Sequence, residues 1–321
     1  MRMRFRGNLT DCAIQKGKHF PVMLPEVLLA LSPQKGETYI DATFGGGSYS
    51  RAILNAADCN VIGLDRDPLA IERGRKLESE FANKFKIIES TFSKIDELNF
   101  PQVDGIVFDI GVSSFQIDDA ARGFSFMRDG PLDMRMGGDV PSAAEIIATF
   151  DAEQLANIFW KYGEEKNSRK IARAIVHDRQ EKPFTTTLQL AGLIERLSGF
   201  GREKIHPATR VFQALRIYVN DELGELEKAL LGAEKLLKPN GRLVVVSFHS
   251  LEDRIVKNFI HERAMKERGS RYFPDAQIRP TSFEISRKKA VLPSANEVAI
   301  NPRSRSAKLR MAIRTAAPAF S

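Results

Sequence analysis

The run Tyr39-Ile40-Asp41-Ala42-Thr43-Phe44-Gly45-Gly46-Gly47-Ser48-Tyr49-Ser50 concentrates residue types that hold a ligand. An apolar stretch ends in an acid, glycines follow, and a helix-competent segment begins. Glycines let a backbone turn sharply and approach a bound molecule closely. Asp65 closes a second apolar run, Val61-Ile62-Gly63-Leu64, eighteen residues after Gly47. A carboxylate at the end of that strand can accept hydrogen bonds from ribose hydroxyls. The pairing is the chemistry of an adenosine-bearing cofactor. Asp109 closes the run Gly105–Phe108 and adds a third carboxylate, at the edge where open α/β sheets meet ligand.

The spacing narrows the cofactor. A dinucleotide fingerprint asks for G-x-G-x-x-G; Gly45 and Gly47 fit, but Ser50 stands at the third position. No G-K-[ST] follows, which excludes a P-loop. S-adenosylmethionine carries no phosphate and needs a glycine turn, a ribose acid and an apolar cover for adenine. Asp65 and Phe92 suit the last two roles. On these residues alone, blander readings stay open: a simple turn, a solvated helix start at Asp65-Arg66-Asp67, and Phe92 as a core residue.

These residues need a scaffold. Thr38–Asp41, Asn60–Asp65, Lys86–Glu89 and Gly105–Asp109 read as strands with helices between, including Pro68–Phe81. That rhythm predicts a parallel sheet with right-handed crossovers. Residues 111–141 read as loop. Residues 142–200 then read only as helices, opened by a Ser142–Glu145 capping box. Leu155, Ile158, Phe159 and Tyr162, and again Leu190, Leu193, Ile194 and Leu197, recur at helical spacing. We read a helical insertion in an α/β domain. A long helix, about Ala208–Leu237, ends at Pro239-Asn240-Gly241 and leads to a buried strand, Arg242–Ser247. Ser250 and Asp253 suggest the cap of a further helix. Residues 269–306 show no period, and Ala307–Arg314 can form a last strand.

Composition bounds the partners. The chain has 321 residues, two cysteines (Cys12, Cys59) and five histidines without zinc-ligand spacing, so neither a disulfide framework nor a metal site is expected. No apolar run reaches membrane-spanning length, and Pro25 and Glu26 interrupt the stretch after the basic N-terminus, which argues against a signal peptide. A reducing cytoplasm is the expected compartment. Net charge is +7, yet Arg254–Arg314 alone holds 15 Lys/Arg against 5 Asp/Glu. Such a basic C-terminal region suggests a phosphate-backbone partner.

The most specific sequence lies at Asp109-Ile110-Gly111-Val112-Ser113-Ser114-Phe115-Gln116-Ile117-Asp118 and Arg122-Gly123-Phe124-Ser125-Phe126-Met127-Arg128-Asp129-Gly130-Pro131-Leu132-Asp133-Met134-Arg135-Met136. Both blocks closely resemble the MraW family, the small-subunit ribosomal RNA methyltransferases H. Further blocks match in the same order: His19–Val27, Asp41–Ser50, Tyr162-Gly163-Glu164-Glu165, His206–Arg216 and Ser247–Arg254. The resemblance spans about residues 19–314. It implies a class I, Rossmann-like S-adenosylmethionine-dependent fold with a mostly parallel seven-stranded sheet and an inserted all-helical domain. The expected division is a core at 1–138, a substrate-recognition insertion at 139–207 and a second core part at 208–321. The implied activity is N4-methylation of one cytidine of 16S rRNA in the 30S subunit.

By resemblance the donor site falls on Gly45, Gly47, Ser48, Tyr49, Asp65, Phe92, Asp109 and Gln116. The family usually has Gly-His where this chain has Ser48-Tyr49, and Pro where it has Phe115. Asp109 is the candidate catalytic group, accepting an amine hydrogen, or else a donor ligand only. Candidate substrate contacts are Phe124, Phe126, Asp133, Arg135, Arg210 and His249. The loop aromatics either grip a flipped cytidine or bridge the core to the insertion. His249 either touches substrate or is structural. Arg210 and Arg216, six apart, cannot share a helix face; one is expected on RNA phosphate and the other on an acid such as Glu222. Arg287, Lys288, Lys289, Arg303, Arg305, Lys308 and Arg310 are the backbone-binding candidates. Another RNA or DNA amino-methyltransferase, or a non-catalytic ribosome-assembly factor, remains the alternative. Monomer and homodimer both stay open.

Overall fold

The computed structural model describes residues 21–198, 206–265 and 280–320. The basic N-terminus, Cys12 and His19-Phe20 lie outside them. Seven strands, β1 (Thr38–Asp41), β2 (Asn60–Asp65), β3 (Phe85–Glu89), β4 (Val103–Asp109), β5 (Leu237–Ser247), β6 (Phe283–Glu284) and β7 (Lys308–Arg314), form one sheet in the order 3-2-1-4-5-7-6. β1 to β5 run parallel; β7 is antiparallel to both its neighbours. Side chains alternate across the pleat. Ile40, Leu64, Ile106, Phe108, Leu243 and Val245 enter one apolar layer, and Tyr39, Val61, Val107, Val244 and Val246 enter the other.

The helices are α1 (Leu24–Leu31), α2 (Ser48–Ala56), α3 (Pro68–Glu80), α4 (Ser114–Asp118), α5 (Ala143–Thr149), α6 (Ala152–Gly163), α7 (Ser168–Asp178), α8 (Thr187–Ser198), α9 (Ala208–Asn220), α10 (Glu222–Leu236), α11 (Ser250–Ala264) and α12 (Ala295–Ile300). α1 to α3 pack on one sheet face, α10 and α11 on the other. Among the described residues no helix is long and apolar enough to cross a membrane.

α5 to α8 form the expected helical insertion, opened by the Ser142–Glu145 capping box. Their core continues into α9: Ala208, Val211, Phe212 and Leu215 pack with Leu155, Phe159, Ile171 and Leu190. Where α6 crosses α9, a Cβ on Gly163 would stand 2.4 Å from the Arg210 carbonyl oxygen. That close approach explains the glycine in Tyr162-Gly163-Glu164-Glu165. Glu164 then leaves the helix at φ 52, and buried Glu165 accepts the Asn167 N–H at 2.7 Å.

The single long helix expected over Ala208–Leu237 is instead two. Asp221 takes φ 46, its N–H satisfying carbonyls of Ile217 and Tyr218, so α10 starts in a new direction. Asp is among the few residues that tolerate this conformation, but nothing in its neighbourhood announces it. β6, α12 and a 3₁₀ turn at Pro302–Ser306 occupy the stretch read as aperiodic. Each is too short to show a period.

Candidate active site

The C-terminal edges of β1, β2 and β4 open onto a cavity of about 350 Å³. Gly45, Ser48, Tyr49, Asp65, Phe92, Asp109 and Gln116 all line it; Gly47 sits just behind. The Gly45 N–H donates to Asp65 Oδ2 at 2.7 Å, and the Asp67 N–H to Asp65 Oδ1 at 2.9 Å, so the glycine turn and the Asp65 carboxylate are fixed to one another. Burial pushes the Asp65 carboxyl up. Phe92 meets Phe108 edge-on at 6.1 Å and presents an apolar wall.

Gly47 precedes α2 at φ 76, and a Cβ there would lie 2.5 Å from the Phe44 ring. Gly47→Ala is expected to cost about 1–3 kcal/mol of stability through overpacking. It should also weaken ligand binding in the cavity, because the turn carrying Gly45 and Ser48 must shift. Thermal melts and donor titration check this; unchanged values for both would show that the turn absorbs the methyl group.

Ser50, the departure from the dinucleotide pattern, is fully buried and has its own partner. Its N–H and Oγ–H both donate to Asp41 Oδ2, at 3.1 and 2.7 Å. A glycine could not supply the hydroxyl. Tyr49 is also buried, its hydroxyl donating to the Val22 carbonyl, so it fastens the segment before α1 to the cavity floor. Phe115 lies across Gly46 and beneath the Arg73 guanidinium, 4.1 Å from the ring centre. Gln116 lines the cavity, but its amide is engaged: Oε1 accepts the Ser113 N–H at 3.0 Å and Nε2 donates to Asp67 at 3.0 Å.

Two buried acids define the electrostatics. Burial, with Asp65 nearby, raises the Asp41 carboxyl to about 6 against its hydrogen bonds from Ser50 and Thr43. Asp109 is raised to about 8, first by burial and then by the charges of Asp41 and Glu252. Asp109 Oδ1 has no hydrogen-bond partner although it is buried at the cavity wall. A ligand with a cationic group beside Asp109 would satisfy that oxygen and stabilise its ionised form.

The substrate candidates scatter. Phe126 is held between His206, 4.4 Å away, and Phe212, 4.9 Å away, and Phe124 packs against the same helical core. Neither lines the cavity; both pack where the loop meets the helical core. Asp133 and Arg135 form a two-pronged ion pair, 2.8 Å at each bond, beside a second, open hollow shared with Asp67 and Arg122. Asn220 fixes this loop by bonding Met134 O and Met136 N, each at 2.8 Å. Arg210 stands 3.9 Å from Glu165 on the helical layer. His249, not Ser250, is the N-cap of α11: Nδ1 accepts the Glu252 N–H. The capping box runs one residue earlier than the serine suggested, because imidazole nitrogen serves as the acceptor.

The anticipated pairing of Arg216 with Glu222 is present, with bonds of 2.8 and 2.9 Å, and both residues line the cavity. Glu252 is wholly buried; burial would raise its carboxyl, but His249, Arg216 and the Phe248 N–H outweigh this and hold it below the usual range. Glu222, His249 and Glu252 offer ligand atoms within 4.8 Å of one another. Two of the three are engaged within the protein: Arg216 pairs with Glu222, and His249 Nδ1 caps α11.

Sequence reasoning missed other cavity walls. Asp67 caps α3 and receives both Gln116 and Arg122, which a capping Asp before Pro68 could have signalled. Asn301 and Arg303 reach the cavity from the far end of the chain. Arg303 pairs with Asp118, while Lys308 and Arg310 both pair with Asp253. Of the basic candidates, Arg287, Lys288, Lys289 and Arg305 remain on the exposed surface.

A 3-2-1-4-5-7-6 sheet with its last strand reversed, and a glycine-turn cavity at the strand ends, define a class I methyltransferase. Residues 16–315 match the family model of the MraW methylases, and the chain belongs to that family. A ribosomal RNA small subunit methyltransferase H of Xanthobacter autotrophicus is 54% identical over 313 residues, covering 96% of this chain and 91% of that protein. One of the same description from Parvibaculum lavamentivorans is 55% identical over 308 residues, covering 94% and 91%. Among solved structures, an rRNA methylase from Streptococcus thermophilus aligns over 91% of this chain and 95% of its own, at 10% identity and a TM-score of 0.40.

Proposed function

We propose that this chain transfers a methyl group from S-adenosylmethionine to N4 of one cytidine of 16S rRNA, acting on the 30S subunit in the cytoplasm. The unpartnered buried oxygen of Asp109 carries the donor assignment: it suits the cationic end of that molecule, while Asp65 suits the ribose and Phe92 the adenine. The ribosomal substrate rests on the description of the relatives. When bound, the donor supplies an electrophilic methyl group on a sulfonium sulfur. The chain's own residues orient the reactants, and proximity supplies most of the rate. Asp109 or a carbonyl in Asp109-Ile110-Gly111-Val112 accepts an amine hydrogen as the nitrogen lone pair turns toward the methyl. Arg287, Lys288, Lys289 and Arg305 hold RNA phosphates without reading sequence. The helical layer recognises the assembled substrate.

The test is transfer of labelled methyl to 30S subunits from cells lacking this enzyme, with naked 16S rRNA and DNA alongside. N4-methylcytidine at one position, made on 30S and hardly on naked RNA, is the expected product. Donor binding without transfer to 30S would overturn the assigned substrate.

A further inference from the structure

A buried ion pair on a cavity wall asks for a reason, because an apolar pair of similar volume would be about as stable. Asp221, in its left-handed turn, brings Glu222 back onto Arg216 at the end of α9. The two side chains are only 6% and 15% exposed, yet both face the cavity. Glu222 takes the Nε and Nη2 side of the guanidinium; Nη1 bonds no described residue. A guanidinium clamped on one side still presents a fixed, planar set of donors. Nearby, Asp109 Oδ1 and Glu252 Oε1 are buried acceptors without hydrogen bonds. His249 Nε2 lies 2.9 Å from Glu252 Oε1, off the line of a hydrogen bond.

We propose that Arg216, clamped by Glu222, reads the base that receives the methyl group. This rests on the cytidine reading above. The pairing edge of cytosine carries two acceptors, O2 and N3, beside the N4 donors. Donors from Arg216 meet the two acceptors, and a carboxylate at the same wall meets an N4 hydrogen. Uracil inverts two of the three positions: N3–H faces the guanidinium and O4 faces the carboxylate. A site built this way rejects the wrong base because its own polar groups are left unpaired. Arg216 and Glu222 thus select the base, and Glu252 with His249 backs them.

The experiment titrates cytidine and uridine 5′-monophosphates, by NMR, into the full-length protein saturated with S-adenosylhomocysteine. Wild type should prefer the cytidine nucleotide tenfold or more. Arg216→Lys, which keeps the charge but loses the fork, should erase that preference and lower kcat/KM on 30S by at least tenfold. Its melting temperature and S-adenosylhomocysteine affinity should stay near wild type. If that variant does not fold, Glu222→Gln, which leaves the fork unclamped, should weaken the preference at least threefold. A wild type with no preference, or a folded Arg216→Lys that retains it, overturns the inference. Should wild type make no N4-methylcytidine on 30S, the cytidine reading fails instead, which the transfer assay reports separately.

Discussion

Asp109→Asn is expected to lower methyl-donor affinity by a factor of roughly 10–150, the worth of one hydrogen bond to a charged group, about 1.5–3 kcal/mol. It should also remove most of the pH dependence of donor binding. In the free enzyme burial and the neighbouring acids push the Asp109 carboxyl up to about 8, so near neutrality it holds a proton. A cationic donor favours the carboxylate, and binding must release that proton. Affinity of the wild type therefore rises with pH and levels off above about 8. The asparagine enzyme, with no proton to release there, gives a flat profile. Stability moves the other way. The unfolded chain ionises an Asp near 4. The folded chain keeps the proton up to about 8, so the stability Asp109 contributes is lost as pH rises through that window. Asn has no such penalty, and its stability advantage over wild type should grow from pH 4 to pH 8, to roughly 2–5 kcal/mol. Calorimetric titration in buffers of different ionisation enthalpy, with melts at both ends of the window, measures all of this. Weaker folding together with unchanged donor affinity would make Asp109 a structural residue.

The glycine-turn side of the cavity was legible because local chemistry dictates it. A strand ending in acid, a glycine turn and an acid at the end of the next strand are contiguous signals. The structure places Gly45, Asp65, Phe92 and Asp109 around one cavity. β1 and β2 match their expected bounds, and β4 exceeds its own by two residues. Ser50 shows how a departure can carry information: it excludes the dinucleotide pattern and, in place, donates twice to Asp41.

The candidate substrate contacts were less legible because long-range packing places them. Phe124 and Phe126 have the right type for stacking on a base, yet sequence cannot show that His206 and Phe212 already enclose Phe126. A basic C-terminal region is visible as composition, but Lys308 and Arg310 spend their charge on Asp253 across two elements. Only the pairing of Arg216 with Glu222 was within reach, since both lie within six residues. The break at Asp221 that makes it possible left no mark in the periodicity.

Glu234→Ala is expected to destabilise the protein by about 3 kcal/mol, because it removes the buried partner of Arg263 and leaves it only the exposed carboxylate of Glu262, 2.9 Å away. Glu234 lies on α10 with no exposed surface. Its carboxylate accepts from Arg263 Nε at 2.6 Å on α11, from Ser282 Oγ at 2.5 Å and from the Phe320 N–H at 3.0 Å. Its carbonyl accepts from Arg314 Nε at 2.8 Å on β7. One residue thus ties two helices to the end of the sheet and to the last described residue. Arg263 also covers the Phe259 ring at 3.9 Å, so its guanidinium cannot simply turn out to water. Melting should fall by roughly 5–10 °C. Donor affinity below the transition should be unchanged, since no residue of this network lines the cavity. Glu234→Leu combined with Arg263→Leu removes both charges, and its loss should be smaller than the sum of the two single losses. Additive losses would mean that the two groups act independently.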